Sequence, residues 1–525
     1  MAIDFELDDR LGARRGTVAM SGIQALLRVP LDQQRADAAT GVRTAGLIAG
    51  YRGSPITGID EAYERDRDML EAHEIRFISG VNEDLAATMV WGSQAAHLEP
   101  DCRFDGVTGL WYGKGPGIDR SLDALRHANL SGVGRYGGVI AAVGDDPACK
   151  SSTVPSASEG LLANLGMPAL YPGSAQELLD FGRWAYELSR TCGLWTGMKV
   201  HTDVADQYAT VDVDPARLGM VTRPDLNGWA PAQSTTLVPA TSLGLEADAF
   251  GPRIEAALAF VAANRLDRTC GAVSDARLGI VAPGKMYADV RSVLSALGLV
   301  TDDDLDRAGV RIYKPALIWP LDPAGLRRFA RGLDEIVVVE EKRPFVEAQV
   351  RDLLFDLAVR PTVLGKRDAE GTPLLPGTGA LTADLMAGPL ARRIGAVLPE
   401  VELRRPRTRI SIADVSRAAS DGTDLPTRTP YFCSGCPHNR STVVPEGSVA
   451  AAGIGCHTMA TWMDRDTVGL THMGGEGAQW AGMAPFVGQQ HRFQNIGDGT
   501  LFHSGTMAIR QAVAARTNIT YKILY

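Results

Sequence analysis

The sequence predicts an α/β fold built from several doubly wound parallel sheets. Short apolar or β-branched segments alternate with amphipathic helical segments along the whole chain, which is the pattern of parallel α/β sheets. Glycine-rich turns follow several of the predicted strands, as expected where a strand passes into a helix. Because 525 residues are too many for a single core, we expect about three or four domains.

The first predicted domain spans residues 1–235. Its strands are predicted in "TAGLIAGY", "RFISGVNE" and "GGVIAAVGDDP", and a further strand, turn and helix in "MPALYPGSAQELLDFGRWAYELSR". The helices "GIDEAYERDRDMLEAH" and "DLAATMVWGSQAAHLE" follow the first two strands. This repeated strand–helix order predicts a parallel sheet covered by helices.

A second α/β unit is predicted over residues 271–400, with strands in "LGIVAPGK", "VRIYKPALIWPLD" and "EIVVVEEKRP". Two predicted linkers flank it: residues 236–270, which are poor in periodicity and rich in turn residues, and the basic, Ser- and Asp-rich residues 401–430. A third unit covers residues 431–525. Its last strand, "NITYKILY", has no helix after it, so we expect this unit to be incomplete.

Composition excludes several classes of protein. The formal net charge of −9 argues against a nucleic-acid-binding surface, which requires clustered basic residues. No apolar run approaches the roughly 20 residues that span a bilayer, and the first residues lack a signal-peptide pattern. Seven cysteines without an export signal do not indicate a disulfide framework. We therefore expect a cytoplasmic protein.

The segment "NIGDGTLFHSG" is the first candidate site. Gly497 and Gly499 are expected to turn the backbone sharply after a strand, which leaves Asp498 at the carboxyl end of that strand. Ligands bind at that end of open α/β sheets, and a carboxylate there suits Mg²⁺. The simpler interpretation, a tight turn with an exposed aspartate, stays open when this segment is taken alone.

Three cysteines form the second candidate site. Cys433 and Cys436 are separated by two residues in "YFCSGCPHNRS", and Cys456 follows in "GIGCHT". Thiolates at such spacing bind zinc or an iron–sulfur cluster. With His457 as the fourth ligand the set would favour zinc, and with a further cysteine it would favour iron.

The remaining candidates are individually weak. Ser54 and Thr57 follow a buried strand in "AGYRGSPITGID", where hydroxyls and amides can hold a carboxylate or phosphate. Glu83 in "VNEDLAATM" begins a helix, and its simplest role is to complement the helix dipole. "GKGPGIDRS", "GDDPACKSS" and "MGGEGAQW" are glycine- or aspartate-rich loops.

Taken in order, "YRGSPIT", "VNEDLA", "GDDPACKSS", "CSGC…GIGC", "MGGEG" and "GDGTLFHSG" resemble the 2-oxoacid:ferredoxin oxidoreductases that use thiamine diphosphate, and most of all the large fused indolepyruvate ferredoxin oxidoreductase. The resemblance covers essentially the whole chain. It implies a pyrimidine-binding domain, a transketolase C-terminal-like domain and the start of a diphosphate-binding domain. The implied reaction is oxidative decarboxylation of an aryl 2-oxoacid to an acyl-coenzyme A, with electrons passed to ferredoxin.

The resemblance also implies roles for single residues near the front of the chain. Glu83 would hydrogen-bond the aminopyrimidine ring of the cofactor, and Ser54 would contact the substrate carboxylate. Arg52 stands where the family has a proline. The active enzyme is expected to be a homodimer.

Further roles are implied near the end of the chain. Asp498, between Gly497 and Gly499, would bind Mg²⁺. Cys433, Cys436 and Cys456 would hold a 4Fe–4S cluster. The diphosphate end of the cofactor would be lined by Gly474, Gly475 and Glu476. The family's second Mg²⁺ ligand, an Asn, and its fourth cluster thiolate would lie after Tyr525, so we expect the 525 residues to be inactive alone.

Two alternatives remain at this point. One is a non-redox thiamine-dependent 2-oxoacid decarboxylase, which needs no cysteine cluster. The other is a zinc-stabilised α/β binding protein, with the three cysteines and His457 as closed structural ligands.

Overall fold

The computed structural model describes residue 6 and residues 8–272, 274–404 and 430–525. The chain divides into two compact units, Met1–Arg409 and Ile410–Tyr525. Residues 405–429, which make up most of the predicted linker 401–430, lie outside the described residues. Among the described residues, none of the helices combines the length and apolar character that crossing a bilayer requires.

The first unit contains fourteen described strands, none longer than nine residues. They are β1 Thr17–Ser21, β2 Thr44–Gly50, β3 Ile75–Ser79, β4 Gly106–Lys114, β5 Val139–Asp145, β6 Ala169–Leu170, β7 Thr196–His201, β8 Tyr208–Asp212, β9 Arg268–Gly271, β10 Leu278–Val281, β11 Val310–Lys314, β12 Leu317–Trp319, β13 Glu335–Val338 and β14 Thr362–Leu364.

Helices connect these strands. They are α1 Asp9–Gly12, α2 Gly22–Ala39, α3 Ile59–Arg65, α4 Arg67–Ala72, α5 Glu83–Gln94, α6 Gly115–Ser131, α7 Glu159–Asn164, α8 Ala175–Cys192, α9 Thr202–Ala205, α10 Pro239–Phe250, α11 Pro252–Asn264, α12 Lys285–Ala296, α13 Asp302–Ala308, α14 Pro323–Ala330, α15 Val346–Leu354 and α16 Ala383–Val397.

The larger sheet has seven strands in the order β12-β6-β7-β5-β4-β2-β3. Its strands are parallel, except that β12 pairs antiparallel with β6. β5 and β7 are buried along their whole length, as expected of central strands covered by helices on both faces. Long helices such as α2 and α8 begin at serine caps, Ser21 and Ser174, whose side chains accept hydrogen bonds from backbone amides.

The second sheet has five strands in the order β14-β13-β10-β11-β9, with β9 antiparallel to β11. Its strands come from residues 268–364, and α12 and α16 pack on it around Leu294 and Ile394. β12 leaves this region and joins the edge of the seven-stranded sheet. The five- and seven-stranded sheets are therefore joined by the chain and by strand pairing. A separate two-stranded antiparallel sheet is formed by β1 and β8.

The structure departs from the sequence prediction in two places. A strand absent from the prediction, β4, lies at the centre of the seven-stranded sheet between β2 and β5. Its glycines, among them Gly109 and Gly113, interrupt the apolar run that normally marks a buried strand. The predicted linker 236–270 is largely regular: α10, α11 and β9 lie in it, and both helices begin at a proline in the first turn.

The second unit is built on a three-stranded parallel sheet, β15 Ala450–Ala451, β16 Arg492–Gly497 and β17 Ile519–Leu524, with β16 in the middle. Its described helices are α17 His438–Ser441, α18 Ala478–Met483, α19 Asp498–Thr500 and α20 Thr506–Ala514. A π-helical turn, Leu501–Gly505, joins the last two. The fold class predicted from the sequence, α/β with several parallel sheets, is confirmed.

Candidate active site

The carboxyl end of the seven-stranded sheet gathers the polar residues of the first unit. The loop after β2 carries Ser54, α5 begins at Glu83 after β3, and Lys114 ends β4. Asp145 and His201 end β5 and β7. Ligands bind at this edge of open parallel sheets because the loops after neighbouring strands meet there.

Glu83 is held in place from several sides. It is the first residue of α5, where Asn82 caps the helix by accepting a hydrogen bond from the Leu85 amide at 3.0 Å. The Trp111 indole donates to the Glu83 carbonyl oxygen at 2.9 Å. A Cβ on Gly117 would lie 2.9 Å from Glu83 Oε1, so the side chain lies against the first turn of α6. Only 7% of Glu83 is exposed.

Lys114 connects Glu83 to the loop that carries Ser54. A Cβ on Gly53 would lie 2.5 Å from Lys114 Cδ, so the lysine stem runs over Gly53. The Lys114 ammonium interacts electrostatically with Glu83 and with Asp146. Burial lowers the pKa of Lys114, and the nearby carboxylates offset part of this effect.

Ser54 is half-buried and lies beside Pro55, which packs on the end of β5. A Cβ on Gly144 would lie 2.9 Å from Pro55 Cδ. Arg52, which replaces the expected proline, turns outward: its side chain is 67% exposed and its Nε lies 3.4 Å from Asp60 Oδ2. Ser54 itself follows Gly53, over which the Lys114 stem runs.

A buried network of charges lies at the ends of β5 and β7. Lys199 Nζ is 3.2 Å from Asp145 Oδ2 and 2.6 Å from Glu159 Oε2. His201 Nε2 lies 3.1 Å from Glu341 Oε2, which follows β13 of the five-stranded sheet. Of these contacts, the His201–Glu341 pair joins the ends of the two sheets.

In the second unit, the Gly-Asp-Gly turn sits at the carboxyl end of the central strand. Gly497 is extended, with φ −74° and ψ 152°, and Gly499 lies within α19. Neither glycine has a positive φ, so the turn does not depend on glycine in the way the sequence suggested. A Cβ on Gly499 would meet no atom within 4 Å, which leaves open space beside Asp498.

Asp498 and Asn495 carry the polar groups of this turn. Within the described part of the chain, the half-buried Asp498 carboxylate makes no hydrogen bond or ion pair, so it remains available to a cation. Asn495 on β16 is fully buried, and neither its amide nitrogen nor its oxygen has a partner among these residues. A hard cation prefers oxygen ligands, so the Asp498 carboxylate is chemically suited to Mg²⁺.

Glu476 follows Gly474 and Gly475, with which it is predicted to line the diphosphate end of the cofactor. Its carboxylate is completely buried and accepts hydrogen bonds from the amides of Gly474 at 2.7 Å and Ile454 at 3.4 Å. It thereby ties the loop after β15 to the glycine loop. Gly475 packs on His472, whose ring would lie 2.5 Å from a Cβ at that position. Burial raises the pKa of Glu476, and a carboxylate is in any case a poor partner for a diphosphate.

Two of the three cysteines lie on a loop, and the third begins a 3-10 helix, Cys456–Trp462. Cys433 and Cys456 are exposed and Cys436 is half-buried. The amide of Cys436 donates to the Cys433 carbonyl at 3.0 Å, which forms a turn. Cysteine thiolates are the usual ligands of an iron–sulfur cluster. However, residues 430–525 contain no group of three or more His, Cys, Asp or Glu side chains close enough to share a metal ion.

His457 is not positioned beside the cysteines as a fourth ligand. It is 1% exposed and lies under Gly455, where a Cβ would be 2.9 Å from its ring. Burial and the charge of His438 lower the pKa of His457 to about 4. The closed zinc set of three cysteines and His457 is therefore not assembled among the described residues.

Comparison with known proteins adds to this geometry. Residues 268–421 match the indolepyruvate oxidoreductase domain. The chain is 24% identical to indolepyruvate oxidoreductase subunit IorA of Pyrococcus horikoshii over 550 residues, covering 99% of this chain and 76% of the relative. It is 25% identical to the same subunit of Methanothermobacter thermautotrophicus over 539 residues, covering 99% and 77%.

A solved structure shares the fold. It is a 2-oxoglutarate:ferredoxin oxidoreductase from Magnetococcus marinus with 2-oxoglutarate, coenzyme A and succinyl-CoA bound. The two superpose with a TM-score of 0.51 at 14% identity, covering 72% of this chain and 66% of that chain. The fold is thus shared with this solved structure over 72% of the chain. In sequence, the chain is similar over nearly its whole length to the subunit IorA of indolepyruvate oxidoreductases, and the predicted resemblance is confirmed.

Sequence reasoning missed two polar residues of these sites. Lys114 lies in "GKGPGIDRS", a segment noted only for its glycines, and its strand β4 was not predicted. The signal was a lysine directly before a Gly-Pro-Gly helix start. Asn495 gave no signal, because its burial becomes apparent only when β15 and β17 flank its strand.

Proposed function

We propose that this chain is the thiamine-diphosphate-dependent part of an oxidoreductase that converts an aryl 2-oxoacid, such as indolepyruvate, to its acyl-coenzyme A. The observation that carries the proposal is the similarity to subunit IorA over 99% of the chain. The arrangement of Glu83, Lys114 and Ser54 at one sheet edge supports it, because all three groups lie where a ligand of a parallel sheet binds.

Glu83 would hold the aminopyrimidine ring. Its burial and its contact with the first turn of α6 give the carboxylate one orientation, which a hydrogen bond to a fixed ring requires. Thiamine diphosphate, when bound, supplies the electron sink for loss of CO₂ from a 2-oxoacid. The hydroxyl of Ser54 would donate a hydrogen bond to the substrate carboxylate.

Asp498 would bind Mg²⁺ at the diphosphate end. The carboxylate has no partner among the described residues, and the space beside Gly499 is open. Gly474 and Gly475 would approach the diphosphate through their backbone. From its position, Glu476 would support this loop and not touch the diphosphate itself.

Cys433, Cys436 and Cys456 would hold the 4Fe–4S cluster, with ferredoxin as the electron acceptor. The support is their spacing in the sequence and the exposure of Cys433 and Cys456. We further propose a cytoplasmic homodimer. A non-redox thiamine decarboxylase would release CO₂ without needing an electron acceptor, so the acceptor requirement separates the two possibilities.

The test is turnover by the intact enzyme under anaerobic conditions. With indolepyruvate, thiamine diphosphate, Mg²⁺ and coenzyme A, we expect CO₂ release to depend on ferredoxin or on a viologen dye. Omitting coenzyme A or the electron acceptor should each stop turnover. Steady CO₂ release with aldehyde as product and no acceptor would refute the redox part, and no binding of thiamine diphosphate would refute the whole proposal.

A further inference from the structure

Lys114 stands apart from every other lysine of the chain. The chain has eight lysines, all within the described residues. Seven of them place the ammonium group within 4.0 Å of a carboxylate or donate it to a carbonyl oxygen: Lys150, Lys199, Lys285, Lys314, Lys342, Lys366 and Lys522. Lys114 Nζ makes neither an ion pair nor a hydrogen bond with any described residue.

This lack of a partner is costly because Lys114 is half-buried. A cation removed from water requires a counter-charge or hydrogen-bond acceptors, and burial lowers the pKa of Lys114 accordingly. Glu83 and Asp146 act on the ammonium electrostatically, but neither forms an ion pair with it within the described part of the chain. The ammonium group therefore retains its capacity to donate to an anion that enters the site.

The surroundings indicate which anion this is. The Lys114 stem crosses Gly53, the residue before Ser54, and its ammonium interacts electrostatically with Glu83. Glu83 belongs to the proposed pyrimidine end of the cofactor. The diphosphate is attached to another part of the thiazolium ring and would be held by Asp498. The anion expected beside Glu83 and Ser54 is consequently the substrate.

We propose that the Lys114 ammonium binds the carboxylate of the 2-oxoacid, together with the Ser54 hydroxyl, an inference that rests on the function proposed above. The carboxylate then receives one charge-assisted hydrogen bond and one neutral hydrogen bond from two different loops. A single point charge on a flexible stem can follow the carboxylate while the aryl group varies. Lys114 thus recognises the acid and leaves the aryl group to other residues.

The experiment compares the wild-type holoenzyme with Lys114→Met and Lys114→Arg. We measure the dissociation constant of thiamine diphosphate, KM and kcat for indolepyruvate, and inhibition by indole-3-lactate and by its neutral amide. Wild type should prefer the carboxylate to the amide. Lys114→Met should raise KM about 10- to 100-fold, as expected for one charged hydrogen bond, and should bind the two inhibitors equally. Lys114→Arg should keep part of the preference for indole-3-lactate over its amide.

Cofactor affinity is the readout that separates substrate binding from a structural role. We expect Lys114→Met to bind thiamine diphosphate within about twofold of wild type, since Lys114 is not its ligand. Lys150→Met, which alters an exposed lysine of the neighbouring loop, is the matched control and should match wild type in every measurement. Lys114→Gln is the alternative if the methionine disturbs packing on Gly53.

Two results would overturn the inference. A Lys114 variant that still prefers indole-3-lactate over the amide would show that another group binds the carboxylate. Weakened cofactor binding with an unchanged preference would assign Lys114 a structural role at Glu83. If the wild-type holoenzyme binds no thiamine diphosphate and turns over no 2-oxoacid, the proposed function fails first, and the role of Lys114 fails with it.

Discussion

Glu83 is a buried carboxylate whose position is set by its neighbours. The first turn of a helix favours negative charge, because its unpaired amides carry partial positive charge. Lys114 adds a full positive charge nearby, and Gly117 leaves room for the carboxylate where any side chain would collide with it. Together, these three effects offset the cost of burying an ionisable side chain of which only 7% is exposed.

Glu83→Gln should slow exchange of the C2 proton of bound thiamine diphosphate about 10²- to 10⁴-fold, the usual contribution of an acid–base group. The amide fills the same space but cannot accept a proton, so cofactor affinity should change far less than the exchange rate. Proton exchange into deuterated solvent, followed by NMR, measures the effect in the holoenzyme. Glu99→Gln, at an exposed position, is the control. Exchange at the wild-type rate in Glu83→Gln would remove Glu83 from the proposed role.

At the scale of elements, α5 depends on its cap. The Asn82 side chain satisfies the Leu85 amide, one of the orphan donors at the start of the helix. Asn82→Ala should lower the free energy of unfolding by about 1 kcal/mol, whereas Asn82→Ser, which can still cap, should lower it by clearly less. Urea unfolding of both variants measures the difference. Equal losses would mean that the cap hydrogen bond does not hold this end of α5.

The His201–Glu341 contact joins elements of two sheets. Burial alone would raise the pKa of Glu341, but its contact with His201 and the charges of His201 and Lys199 lower it from 4.5 to about 2. The ionised carboxylate therefore favours the folded state at all pH values above its ordinary pKa. This contribution is lost progressively as the pH falls from about 4.5 towards 2.

Glu341→Gln should accordingly destabilise the protein at pH 7 by an amount on the order of 3 kcal/mol. The difference in the free energy of unfolding between wild type and variant should stay constant down to about pH 4.5 and become smaller below it. Urea unfolding at pH 7, 5, 4 and 3 tests this. Glu370→Gln, at an exposed position, should unfold with the same free energy as wild type at every pH. A difference that does not become smaller in acid would mean that Glu341 is not held ionised by His201.

The elements also show where sequence reasoning succeeds and fails. Strands such as β2 and β5, with continuous apolar runs, were predictable because their residues alone specify burial. β4 was not, since its glycines make room for neighbours such as Val90 and Val139 and carry no hydrophobic signal of their own. The helices α10 and α11 were not predicted, because the residues around their start are rich in Pro, Thr and Ser, which are typical of loops.

For the molecule as a whole, the sequence predicted the fold and the resemblance better than the directions of individual side chains. Motif order carried the resemblance, and Glu83 and Ser54 do lie at one sheet edge. The resemblance implies a place for Glu476 at the diphosphate end of the cofactor, but not the hydrogen bonds that its carboxylate accepts from the amides of Gly474 and Ile454. Spacing in a sequence specifies which backbone turns are close, but side-chain direction depends on packing between distant segments.

The metal content of the intact protein follows from the cysteines. Purified anaerobically, it should be brown and contain iron, and alanine at Cys433, Cys436 or Cys456 should remove most of that iron. Cys192→Ala should retain it, because Cys192 is fully buried in α8 and burial raises the pKa of its thiol to about 12. Elemental analysis for iron and zinc measures the outcome. A colourless protein containing zinc would favour the zinc-stabilised alternative.

The antiparallel pairing of β12 with β6 has a consequence for biosynthesis. Residues 317–319 supply the outer strand of a sheet whose other strands all precede residue 202. A nascent chain that has emerged only as far as the end of β7 thus carries β6 with its outer hydrogen-bonding edge open, and such edges invite pairing with other chains. The ribosome must add over a hundred residues before that edge is covered. Because β6 is only two residues long, the exposed edge is short, and the seven-stranded sheet is completed only late in synthesis.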